Sequence, residues 1–172
     1  MKAWPLRRLT AYAVDSMLIM LLVAALLFIN LVLLGASFAD GTGSEPWRAH
    51  LIGFLSLTLP VVLYFAGTEA AFGATLGKKL LGLEVSTTEG TKPGAGAAFL
   101  RNVVKFLPWE INHMAMWYVP EGHRLFIDPM PTLNTGVQVA CLLAGLAYVL
   151  TLFIGSGRTP YDRIAKTVVA KQ

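Results

Sequence analysis

The chain has 172 residues, of which 55% are hydrophobic and only 14% charged, with a mean hydropathy of +0.61. Soluble domains carry about 25% charged and about 45–50% apolar residues, so this composition excludes an ordinary water-soluble globule, a disordered chain and a nucleic-acid module. The net charge of +4 fits a membrane protein with basic cytoplasmic loops, and no nucleic-acid partner is expected.

In chain order, the first predicted element is an uncharged run from Ser16 to Ala39. A helix needs roughly 20 apolar residues to cross about 30 Å of hydrocarbon, and this run reaches that length. Lys2, Arg7 and Arg8 precede it, and Ser37-Phe38-Ala39 imitates a signal-peptide cleavage site. The run exceeds the roughly 7–15 residues of a signal core, and Asp15 interrupts its front, so it reads as a retained helix. A second uncharged run spans Leu51 to Thr68 and predicts the second crossing.

Between the second and third helices, Leu80 to Thr88 is strand-like and Glu89-Gly90 signals a turn, which predicts a short cytoplasmic hairpin. The segment Ala97 to Val119 is long enough to cross but carries Arg101, Lys105, Glu110 and His113, with Pro108 at its middle. It reads as a polar helix, either broken across the bilayer or lying in the interface. Pro129 to Gly157 is uncharged and supplies the last crossing. Gly136, Ala140 and Ala144 form a small-residue stripe on it, expected to pack within the subunit or to seam a homodimer.

The distribution of basic residues sets orientation. If the polar segment crosses, twelve of the 14 Lys and Arg residues fall on one side; only Arg48 and Arg124 fall on the other. The expected architecture is therefore an all-α membrane protein, a small bundle of four transmembrane helices in a single domain. Both termini are expected in the cytoplasm.

Few residues can carry chemistry. Arg8 and Asp15 are seven apart, close to two helical turns, so they share a face. A charge at mid-bilayer costs about 2.5–3.5 kcal/mol, so Asp15 is either an ion or proton ligand or a headgroup-level anchor. Asp162, in the stretch Arg158 to Arg163 after the last helix, is a candidate for the same polar site or for a structural clamp with Arg8. Glu110 and His113 share a helix face at i, i+3, which is one half of a di-metal carboxylate motif. No second half exists, so no metal site is assigned, and the pair is kept as a proton-handling candidate. Glu69, Arg101 and Arg163 are further polar candidates.

Gly73 to Lys79 imitates a phosphate loop, but its glycine spacing is one residue short and Lys79 stands where Ser or Thr would hold magnesium. Nucleotide binding is rejected, and Lys78 and Lys79 are read as basic groups facing anionic lipid. Cys141 is the single cysteine, which removes intrachain disulfides and thiolate metal sites. His50 and His123 are placed in loops without clustered ligands. Nothing supports hydrolytic chemistry or a cofactor, and no enzyme is expected.

Four blocks, RRLTAYAVD, TEAAFGATLGKKLLGLEV, FLRNVVKFLPWE and PYDRIAKTVVA, resemble the RDD family of bacterial integral membrane proteins. That family is named for one arginine and two aspartates, which by motif position are Arg8, Asp15 and Asp162. Ala165-Lys166-Thr167 departs from the family's more common glycine before the final threonine. The resemblance implies a small multi-pass protein of the bacterial cytoplasmic membrane, with transport the usual suggestion.

Two functions follow as expectations. One is a transporter of a cation or small solute coupled to protons, in which Asp15 and Asp162 bind the ion and Arg8 sets their pKa. Glu110 and His113 would extend that relay, and a homodimer would be required. The other is a scaffold or regulatory subunit binding another membrane protein or anionic lipid.

Overall fold

The computed structural model describes residues 5–29, 46–120, 122–123 and 127–171. The end of the first uncharged run, with its imitation cleavage site, and Lys2 and Arg124 lie outside these residues.

Helix α1 runs Pro5–Phe28 and opens on a proline, whose missing N–H costs nothing in a first turn. Helix α2, Pro46–Gly53, passes through a π-helical turn at Phe54–Thr58 into α3, Leu59–Phe72. The π turn falls just before Pro60, where the regular ladder loses a donor. Gly73, in the left-handed region with φ 72, ends α3 and returns its N–H to the Glu69 carbonyl. A short helix α4, Leu76–Leu80, follows, capped by the Thr75 side chain. Strand β1 covers Leu83–Thr87. Helix α5 spans Ala95–Trp117, α6 spans Thr132–Leu150, α7 covers Pro160–Ile164 and strand β2 covers Thr167–Lys171.

Three helical stretches, Pro5–Leu26, Pro46–Phe72 and Thr132–Leu150, are long and apolar enough to cross a membrane. Their surfaces fit lipid. Met17, Leu21, Leu63, Leu133 and Leu142 are exposed, and α6 buries no residue at all. Helix α5 packs against both α3 and α6. At 23 residues it is about 34 Å long. It is one continuous helix rather than a broken one. Pro108 cannot donate to the Val104 carbonyl, and the Tyr148 hydroxyl of α6 donates to that carbonyl instead, at 3.2 Å.

The hairpin expected between the second and third helices does not form. Strand β1 pairs antiparallel with β2 from the C-terminal tail, with Leu83 opposite Lys171 and Thr87 opposite Thr167. After Thr87 the chain makes its turn, Gly90 at φ 84, and then meets Pro93 and α5. A proline cannot extend a ladder, so the β-branched tail supplies the partner. The small-residue stripe also departs from packing within the subunit. Gly136 and Ala140 are exposed and only Ala144 is half-buried.

Two apolar clusters hold the bundle. Val61, Val62 and Phe65 of α3 pack on Phe106 of α5, with the Phe65 and Phe106 rings edge to face at 5.1 Å. Ala11 of α1 packs on Leu83, Val85 and Val169 of the sheet. The first turns of α1 and strand β2 are thereby gathered at one end of the bundle, beside α4 and the start of α5.

Candidate functional site

At that end lies a continuous chain of buried polar side chains. Arg8 Nη2 donates to Asp162 Oδ2 at 2.7 Å, and its Nη1 donates to the Gly157 carbonyl. Arg101 donates through Nε and Nη2 to Asp162 Oδ1 at 3.0 and 2.9 Å. Its Nη1 donates to Glu69 Oε1. Lys78 Nζ donates to the same Glu69 oxygen at 2.9 Å and to Thr75 Oγ1 at 3.3 Å. The Thr75 hydroxyl donates to Asp15 Oδ2 at 2.6 Å. The path leaves α1 at Arg8, passes through α7, α5, α3 and α4, and returns to α1 at Asp15.

Local sequence sets each position. Thr159 and Asp162 form a capping box on α7, which fixes the Asp162 carboxylate at a helix N-terminus, where negative charge is favoured. Asp15 Oδ1 accepts from the Gly77 N–H at 2.8 Å and from the Tyr64 hydroxyl at 3.0 Å. A side chain at Gly77 is impossible here: its Cβ would lie 2.1 Å from the Ala11 carbonyl oxygen. Glu69 Oε2 accepts from the Asn102 amide at 2.8 Å.

Asp15, Glu69 and Asp162 are fully buried, and unpaired burial of such charges is prohibitive. Burial alone would raise the Asp162 pKa, but Arg101 and Arg8 outweigh it and hold the carboxyl down at about 2. Burial pushes the Lys78 ammonium below its usual range, and Glu69 offsets part of that shift.

The structure unites Arg8, Asp162, Glu69, Arg101 and Asp15 in one network. Arg8 bonds Asp162 and not Asp15, so the shared helix face carries two different attachments. Lys78 does not face lipid: close packing of Gly77 on α1 turns it inward onto Glu69, and it is 8% exposed. Lys79 is exposed, and Arg163 is exposed and outside the network. Thr75, Asn102 and Lys105 were not among the sequence candidates. Thr75 had a visible signal, a helix cap four residues before Lys79. Asn102 had only its place beside Arg101.

Glu110 and His113 stand apart from this network. Nine residues separate Arg101 from Glu110, about 14 Å of helix. Glu110 Oε1 lies 2.7 Å from His50 Nε2, and Oε2 accepts from the Thr58 hydroxyl at 2.6 Å. His113 Nε2 accepts from Trp117 Nε1 at 2.9 Å. His50 is therefore helical and clustered, contrary to its placement in a loop. His50, Glu110 and His113 bring ligand atoms within 4.8 Å of one another, the group among the described residues that could share a metal ion. Both Glu110 oxygens, His50 Nε2 and His113 Nε2 have a protein partner, whereas His113 Nδ1 makes no hydrogen bond and lies 3.7 Å from Glu110 Oε2.

The RDD family model matches residues 2–166. The chain belongs to the RDD family. Its three long apolar helices make it a multi-pass membrane protein of that family. No curated protein and no solved structure matches the chain. At their motif positions in this RDD-family chain, Arg8 and Asp162 bond each other directly, and Asp15 is joined to that pair through four intervening side chains, Arg101, Glu69, Lys78 and Thr75. Lys166, in place of the more common glycine, adopts φ 51 and makes the turn into β2 all the same.

Proposed function

We propose that this RDD-family protein is a non-catalytic interaction subunit, and that Arg8, Asp15 and Asp162 act as a clamp. One observation carries this reading. Every oxygen of the three buried carboxylates is already bonded by the protein's own donors. An ion-coupled carrier needs a carboxylate that exchanges partners; a clamp needs none. The clamp ties helix α1 to α4 and to the tail, and so fixes a basic face that can meet anionic lipid or another membrane protein.

In this reading α5 is the fourth crossing. It carries the basic ends of the chain to one side, the cytoplasmic side of a bacterial cell membrane. Cation transport has less support. The cavity beside the clamp is lined by Arg8, Lys78, Arg101 and Lys105, which repel a cation.

The test is proteoliposome flux combined with thermal unfolding. Asp15→Asn and Asp162→Asn are expected to lose folded protein, with no cation flux in the wild type above that of empty vesicles. A wild-type flux that vanishes in a well-folded Asp15→Asn protein overturns the reading.

A further inference from the structure

Two cavities meet inside the bundle. The first has a volume of about 240 Å³, and its charged lining is Arg8, Lys78, Arg101 and Lys105, with no carboxylate. The second, about 610 Å³, is lined mostly by apolar side chains of α1, the π turn, α3, α5 and α6, with Ser16, Thr58, Asn112 and Gln138 among them. Tyr12, Lys105, Gly145, Tyr148 and Val149 line both. The two therefore form one space with a cationic end and an apolar end.

The cationic end carries a surplus. Arg8, Arg101 and Lys78 are matched by Asp162, Glu69 and Asp15 within the network. Lys105 is not matched. Its ammonium makes no hydrogen bond among the described residues and sits on aromatic faces, 3.6 Å from the centre of Phe65 and 4.6 Å from that of Tyr12. A cation–π contact stabilises an ammonium but leaves its N–H donors free.

The apolar end has a matching length. It follows α1 from Tyr12 to Val23 and α6 from Val149 back to Gln138. Eleven residues of helix rise about 16 Å, roughly half of a hydrocarbon core of about 30 Å, or one leaflet.

We infer that this joint space holds one phospholipid with a net negative headgroup, its phosphate at Lys105 and an acyl chain between α1 and α6. Charge selects the head, because no carboxylate among the described residues bonds the Lys105 ammonium. Depth selects the tail. Gly145 lines the junction of the two, and a Cβ there would meet nothing within 4 Å, so a larger side chain would project into open space. The inference extends the interaction-subunit reading to a lipid partner, yet the two fail separately. A cation flux sinks the clamp and leaves lipid retention intact.

Full-length protein in nanodiscs containing equal phosphatidylglycerol and phosphatidylcholine, released into mild detergent, supplies the test by native mass spectrometry. One phosphatidylglycerol per chain is expected to be retained in preference to phosphatidylcholine. Lys105→Gln should lower that preference about fivefold, the worth of one basic residue near an anionic surface. Gly145→Leu fills the junction and favours the helix, so it should abolish retention without lowering the melting temperature of the lipid-free protein. Any of three results overturns the inference. They are equal retention of the two lipids, wild-type retention in Gly145→Leu, or protection from thermal unfolding by inorganic phosphate equal to that by phosphatidylglycerol. A dimer that excludes lipid from the same surface overturns it as well.

Discussion

Arg8 and Asp162 stand 154 positions apart and meet at 2.7 Å. The aspartate side chain is fully buried and the arginine nearly so. Removing one partner of a buried pair leaves an uncompensated charge, which costs about 3–5 kcal/mol. Asp162 keeps Arg101 as a partner, so Arg8→Met is expected to lower stability by less than that, about 1.5–3 kcal/mol for the lost charged hydrogen bond, read from thermal unfolding in detergent. An unchanged melting temperature would show that the pair contributes nothing to holding the two ends together.

The same carboxylate sets an acid limb. Asp162 has its pKa held down from 3.8 to about 2 in the folded chain. A depressed carboxyl contributes stability that is complete above the unfolded value and is lost as pH falls through the folded one. The gap in stability between wild type and Asp162→Asn should be constant from pH 5 to 8. It should close between about pH 4 and pH 2. Unfolding curves across that range decide it, and a gap that instead widens toward pH 2 contradicts the assignment.

Gly77 gives a steric prediction. Its Cβ would fall 2.1 Å from the Ala11 carbonyl oxygen and 3.0 Å from Asp15 Cγ, so α4 must leave α1 to admit alanine. Backbone cannot yield as a side chain does, and the Asp15 bond to the Gly77 N–H would break with the separation. Gly77→Ala should cost more than about 3 kcal/mol, among the large effects of single substitutions. Gly67→Ala is the control. Gly67 lies within α3, a Cβ there meets nothing within 4 Å, and the change should stabilise by about 0.5–1 kcal/mol. Equal melting temperatures for the two variants would refute the close approach.

Lys166 occupies a left-handed position, φ 51, between α7 and β2. Its N–H donates to the Arg163 carbonyl, and its own carbonyl accepts from the Thr88 N–H. The turn is thus needed for strand pairing, and a residue with a Cβ holds it against steric preference. Lys166→Gly should raise stability by about 0.5–1 kcal/mol, the relief of strain less the added freedom of the unfolded chain. A lower melting temperature would mean that the Lys166 side chain makes a contribution larger than the strain.

The sequence made the long elements readable because hydrocarbon imposes a length and forbids charge. The runs at Ser16, Leu51 and Pro129 each announce a helix for that reason. Helical period likewise put Arg8 and Asp15 on one face. What one turn of helix cannot announce is the partner. Arg8 finds Asp162 and Asp15 finds Gly77 only after α4 and the tail have packed on α1. Lys78 misleads most, because a lysine beside another lysine is nearly always solvated, and only the close packing of Gly77 turns it inward. The strand at Leu83 was visible, but its neighbour in the sequence could not pair once Pro93 followed.

Tyr148 and Pro108 allow the packing of α5 on α6 to be measured. Pro108 leaves the Val104 carbonyl without its helical donor, and the Tyr148 hydroxyl donates to it at 3.2 Å. In a protein surrounded by lipid, an orphaned carbonyl has no water to fall back on. Tyr148→Phe should therefore cost about 1–3 kcal/mol, the penalty of an unsatisfied buried acceptor. In a Pro108→Ala background the helix regains its own N–H donor at that position. The same Tyr148→Phe change should then cost well under 1 kcal/mol, because a carbonyl already satisfied loses little. The coupling in this double-mutant cycle isolates the interhelical bond. Additive effects of the two substitutions would mean that Tyr148 holds α6 through packing alone, and that Val104 is satisfied by some other group.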